Sequence, residues 1–178
     1  MRTIIVIDMQ KDFYSPEGSL YVNGAEVLPE RFVEEIKDFD NVIFTLDWHP
    51  SRHCSFKPQG GIWPPHCVHY THGASLPEPV VEAAADKNPM FYLKGQDINE
   101  EEYGAFSDIP EDQLAMLRES DEIAIGGLCG DYCVSESIKI LAKLGLAAKL
   151  VVLKDCTFSI DGGTVLKKTI KEFKLKTK

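Results

Sequence analysis

No stretch of this chain approaches the roughly 20 consecutive apolar residues that a membrane-spanning helix requires. The apolar run in MRTIIVIDMQKDF is short and ends in charge, with no small-residue cleavage site behind it. Basic residues are outnumbered: 19 Lys and Arg stand against 28 Asp and Glu, a net charge of -9. That balance disfavours nucleic acid or an anionic membrane as the main partner. It leaves a small neutral or anionic substrate open, because a site carries its own local field. No repeat, low-complexity segment or C-x-x-C motif occurs. The five cysteines are odd in number and follow no secretion signal, so the expected setting is cytoplasmic, with buried or reactive thiols rather than disulfides.

What is present suits one domain over residues 1–178, a length that buries about 70% of the surface of the unfolded chain. A β-branched run, Thr3 to Ile7, predicts a buried strand ending at Asp8. Phe32, Val33, Ile36 and Phe39 share one face of a helix predicted over 27–39. NVIFTLD is a second strand ending at Asp47, and MFYLK a third ending at Lys94. PEDQLAMLRES reads as a helix with Pro110 in its first turn. EIAIGGL is a further strand. Behind it Asp131 is the expected N-cap of a helix with Val134, Ile138, Leu141 and Ala142 inward, stopping at Gly145. AAKLVVLKD predicts a strand and residues 163–173 a last helix; the basic tail KEFKLKTK reads as a solvated helix end. Alternating strands and helices predict a three-layer α/β/α fold around a mostly parallel sheet. Ligands of such sheets bind beyond the carboxyl ends of the strands. Asp8, Asp47, Lys94 and Cys133 should therefore share one edge.

The irregular stretch over 48–79 holds both tryptophans, and irregular segments of that length are usually functional. Asp47 and His49 are two apart at a strand end, so their side chains project the same way. His66 follows Pro64 and Pro65, which restrict its backbone. Two imidazoles and a carboxylate form an open metal set that suits zinc, iron or manganese. His53 is either a fourth ligand or, as favoured here, a residue that orients the others. His69 and His72 read as exposed loop histidines.

GGLCGDYCVSES carries a second chemistry. In the first turn of a helix, free N–H groups would favour a Cys133 thiolate and could stabilise an oxyanion. Asp8 is the expected base and Lys94 its partner. Cys129 and Cys133 could instead be packed core residues or a redox pair.

In the order of its motifs the chain resembles the nicotinamidase/pyrazinamidase family of isochorismatase-like cysteine hydrolases. IIVIDMQKDFYSPEGSLYVNGAE, DWHPSRHCSF, WPPHC, LKGQD and GGLCGDYCV carry the resemblance across about residues 3 to 160. It implies a catalytic triad of Asp8, Lys94 and Cys133 and a divalent metal, zinc before iron or manganese, on Asp47, His49 and His66. It implies Phe13 and Trp63 against a pyridine ring, and a cis peptide before Cys129 that turns its N–H, with that of Cys133, into an oxyanion hole. The implied reaction is hydrolysis of nicotinamide, and of pyrazinamide, to the acid and ammonia through a thioester, within NAD salvage. Homo-oligomers are common in such enzymes, but no stretch marks an interface. Tyr132 departs from the family, in which many relatives have a histidine at that position.

Overall fold

A computed structural model describes residues 1–178. Six parallel strands form one sheet in the order β3-β2-β1-β4-β5-β6: Arg2–Ile7 (β1), Asn41–Asp47 (β2), Met90–Lys94 (β3), Glu122–Gly127 (β4), Leu150–Thr157 (β5) and Lys176–Thr177 (β6). The order reverses between β1 and β4, and a doubly wound sheet opens its ligand crevice at such a switch point. Every residue of β2 is buried, as a strand covered on both faces requires. The edge strand β3 alternates instead, with Phe91 and Leu93 exposed.

Six helices cover the sheet: Lys11–Tyr14 (α1), Leu28–Ile36 (α2), Glu78–Ala83 (α3), Glu111–Glu119 (α4), Ser135–Lys143 (α5) and Thr164–Glu172 (α6). Two apolar cores result. Ile4, Val6 and Phe44 pack with Leu28, Phe32 and Ile36 of α2 on one face. Ile5, Ile7 and Ile125 pack with Leu117 of α4 and Ile138 and Leu141 of α5 on the other. Alternate residues of β1 thus feed opposite cores, as a period of two demands. Each such side chain, fully buried, contributes about 1.5–3 kcal/mol.

Several expectations are corrected. α2 ends at Ile36, and Phe39 is buried just beyond it while Val33 is only half-buried. Pro110 is the N-cap of α4 rather than a first-turn residue, since it has extended backbone. Asp131 does not cap a helix. It lies inside a single π-turn, Gly130–Val134, that precedes α5, and its carboxylate accepts the N–H groups of Ile160 (3.0 Å) and Asp161 (3.1 Å). Only the start of the basic tail is a helix end: Lys171 and Glu172 close α6, whereas Lys176–Thr177 adds the sixth strand, with Lys178 N–H on the Val152 carbonyl at 3.0 Å.

Candidate active site

The strand register sets the site. Asp47 on β2 is level with Lys94 on β3, and Ile7 on β1 is level with Gly127 on β4. The residues at and just past these ends therefore converge on one edge, and Asp8, Asp47, Lys94 and Cys133 are all buried there. Gly127 has φ 130°, and a Cβ on it would lie 2.0 Å from the Ile7 carbonyl oxygen, so only glycine lets β4 turn away here. The peptide between Leu128 and Cys129 is cis.

Lys94 stands between the two chemistries. Its Nζ is 3.0 Å from Asp8 Oδ2 and 3.6 Å from Cys133 Sγ, and it bonds Asp47 Oδ1. Asp8 Oδ1 accepts the Thr45 hydroxyl at 2.6 Å; Oδ2 faces the ammonium and takes no other hydrogen bond. Burial raises the Asp8 pKa above the ordinary carboxylate value, against the pull of Lys94. Asp47 is also desolvated, yet Lys94, His49 and His66 together hold it well below the ordinary value. Burial pushes the Cys133 thiol well up, although Lys94 opposes this. The sulfur therefore needs a base to take its proton, the part expected of Asp8, and Cys133 sits in the π-turn Gly130–Val134 ahead of α5 rather than in the first turn of that helix.

Pairing within the loop brings the two ligand histidines together. His49 N–H bonds the Cys67 carbonyl at 3.2 Å, and His69 N–H bonds the His49 carbonyl at 2.9 Å, which sets His66 beside His49. His49 Nδ1 is committed to the Gly95 carbonyl at 2.9 Å, and His66 Nδ1 to that of Pro64 at 2.8 Å. These bonds fix each tautomer and turn the Nε2 atoms to Asp47 Oδ2, at 3.5 and 3.7 Å. Donor atoms of Asp47, His49 and His66 lie within 4.8 Å of one another. This donor set fits a divalent cation with open positions.

His53 joins no such group. Its two ring nitrogens meet Ser55 Oγ (2.7 Å) and the Glu100 carbonyl (2.9 Å), and its ring lies 4.1 Å from that of His49. Both of its nitrogens are thus engaged, and its ring packs on that of a ligand histidine. His72 is exposed, but His69 is half-buried beside Trp48 and Tyr70, contrary to the expected exposure.

A pocket with ≈ 320 Å³ of space opens onto these groups. Phe13, Trp63, Cys129, Tyr132 and Cys133 line it with Asp47 and His66, and Leu20, Glu101, Tyr103 and Ile160 complete the wall. Its walls are aromatic with a few polar groups, the usual make-up of a small-ligand site. Tyr132 stands edge-on to Trp63 at 5.2 Å, and Trp63 Nε1 donates to Tyr103 Oη at 3.0 Å. The Cys129 N–H, beyond the cis peptide, donates to no backbone carbonyl.

Sequence reasoning gave no role to Glu101, Tyr103, Gln10 or Asp12. Gln10 clamps Asp47 through both its N–H (2.8 Å) and its carbonyl (2.7 Å). Asp12 Oδ2 accepts the Cys67 N–H at 2.8 Å. Both lie in the D-x-Q-x-D-F stretch, whose polar residues directly after an apolar strand were the available signal.

A profile of the isochorismatase domain matches residues 2–176. The nicotinamidase of Saccharomyces cerevisiae is 34% identical, over 98% of this chain and 96% of that protein. The pyrazinamidase of Pyrococcus horikoshii, solved in complex with zinc, superposes with a TM-score of 0.81 at 28% identity, covering 99% of this chain and 98% of that one. An L. infantum protein solved in complex with nicotinate superposes with a TM-score of 0.87 at 27% identity, covering 100% of this chain and 92% of that one.

Proposed function

The chain belongs to the isochorismatase family, and from that premise we propose that it is a metal-dependent nicotinamidase. On this reading it hydrolyses nicotinamide, and pyrazinamide, to the acid and ammonia through a thioester on Cys133. The similarity to nicotinamidases over nearly the whole chain supports the substrate. The observation that carries the chemistry is the position of Lys94, within reach of Asp8, Cys133 and Asp47 together.

The carboxamide lies against Cys133, with the ring between Phe13 and Trp63. Asp8 Oδ2 takes the thiol proton, a transfer favoured by its raised pKa. The thiolate attacks the carboxamide carbon. The N–H groups of Cys129 and Cys133 receive the oxyanion, a contribution of about 2.7–4 kcal/mol per donor in comparable sites. Asp8 passes its proton to the leaving nitrogen, and ammonia departs. Water then attacks the thioester, Asp8 accepts its proton, and this proton returns to sulfur as the acid leaves. Lys94 keeps its charge throughout and offsets the buried negative charge.

Asp47, His49 and His66 would hold the divalent ion, zinc first, with iron or manganese as alternatives. Bound there, it supplies a Lewis acid for the ring nitrogen, which orients the ring. The proposed setting is NAD salvage in the cytoplasm. Ammonia release from nicotinamide by the purified protein, before and after chelation, tests the reading. Release that falls on chelation and returns with added metal is expected; no release in any metal state would overturn it.

A further inference from the structure

The segment from Gly95 to Tyr103 leaves β3 and forms part of the pocket wall. Most of its polar groups are tied down. The Glu100 carbonyl meets His53 at 2.9 Å, and the Ile98 carbonyl accepts the Cys54 N–H at 2.8 Å. The Glu102 carboxylate accepts the Gly95 N–H at 2.9 Å and the Ser107 hydroxyl at 2.5 Å. Tyr103 Oη accepts from Trp63. Between these anchored neighbours, Glu101 is half-buried and lines the pocket beside Asp47 and His66. Its carboxylate makes no hydrogen bond or ion pair with the rest of the chain.

A half-buried carboxylate without a partner places an uncompensated negative charge at the pocket wall, beside Asp47 and His66. Local charge suggests a function for it. Asp8 and Asp47 bring two negative charges and Lys94 one positive. With a divalent cation on Asp47, His49 and His66, the cluster carries one net positive charge before Glu101 is counted. Glu101 cancels it. A neutral carboxamide then enters a neutral site, whereas the carboxylate product leaves that site with a negative charge at low local dielectric.

We propose that Glu101 is a specificity determinant that discriminates by charge, admitting the neutral amide and weakening retention of the anionic acid. This inference rests on the nicotinamidase reading and extends it to product release. The action is electrostatic: Glu101 transfers no proton and ligates no metal. Desolvation and the Asp47 carboxylate raise its pKa, against the opposing pull of His49, Lys94 and His66.

The test is equilibrium binding by calorimetry to the zinc-loaded Cys133→Ala protein, which removes turnover. Nicotinamide and nicotinate are titrated separately, with and without Glu101→Gln. Glu101→Gln is expected to tighten nicotinate about tenfold, equivalent to about 1.4 kcal/mol, and to leave nicotinamide within about twofold. Glu101→Asp keeps the charge and is expected to keep the parental ratio of the two affinities. Unchanged nicotinate affinity, or an equal shift for both ligands, would overturn the inference. Loss of zinc from Glu101→Gln by elemental analysis would also overturn it, by making the residue a ligand. Failure of the Cys133→Ala parent to bind either pyridine would instead refute the nicotinamidase reading, and this inference with it.

Discussion

Lys94 Nζ lies 3.0 Å from Asp8 Oδ2, with both side chains wholly removed from water. The pair joins the ends of β1 and β3, although β2 runs between them. Asp47, on that intervening strand, bonds the same ammonium. One cation therefore neutralises the carboxylate beside the nucleophile and the carboxylate of the ligand set.

Removing that cation leaves two buried carboxylates facing each other. Breaking a buried pair from one side typically costs about 3–5 kcal/mol. Lys94→Met is expected to lose stability of that order in urea denaturation of the metal-free protein. Lys94→Met combined with Asp8→Asn should recover part of the loss. A single variant as stable as the parent would contradict the pairing.

Asp8 must be ionised to accept the thiol proton, and burial raises its pKa. Protonation removes the base, so kcat/KM is expected to fall as pH drops, starting above the ordinary carboxylate range. The neighbouring charges make this an apparent pKa of the coupled cluster. Asp8→Asn should abolish that acid limb and slow alkylation of Cys133 by iodoacetamide at neutral pH. Undiminished alkylation would remove Asp8 from the role.

Gly95 has φ 66°, and a Cβ there would lie 2.4 Å from His49 Cε1. Its carbonyl also holds His49 Nδ1. Gly95→Ala is expected to displace the imidazole and weaken metal affinity about 10–100-fold, the usual scale for loss of a group that orients a ligand. Competition with a chelator measures this directly.

Tyr103→Phe removes the acceptor for Trp63 Nε1 and keeps the ring against Tyr132. A neutral hydrogen bond contributes about 1 kcal/mol, so KM for nicotinamide should rise roughly fivefold with kcat little changed. A fall in kcat alone would mean that Tyr103 acts on the reacting groups and not through the ring wall.

Much of the edge is legible from local pattern. Apolar β-branched runs that stop at Asp8, Asp47 and Lys94 mark strand ends, and a parallel sheet aligns such ends because its connections return each strand in the same direction. MFYLK matches β3 residue for residue. The tail is different: β6 has two residues, too few for any periodicity, and it exists because β5 offers an unpaired edge. Asp131 reads as a cap from its place before an apolar stripe, but the chain at Ile160 and Asp161 returns to take its carboxylate.

What the sequence determined by itself is the layered fold, the residue types at the strand ends and the chemistry they carry, because these depend on local periodicity and spacing. The tertiary structure alone decided the balance among those groups. Burial pushes the Cys133 thiol up against the pull of Lys94, and desolvation depends on everything packed around a group. Within NEEEYG, three successive glutamates look alike as sequence. Only packing ties down Glu102, leaves Glu100 to hold His53 by its carbonyl, and turns Glu101 unpaired into the pocket.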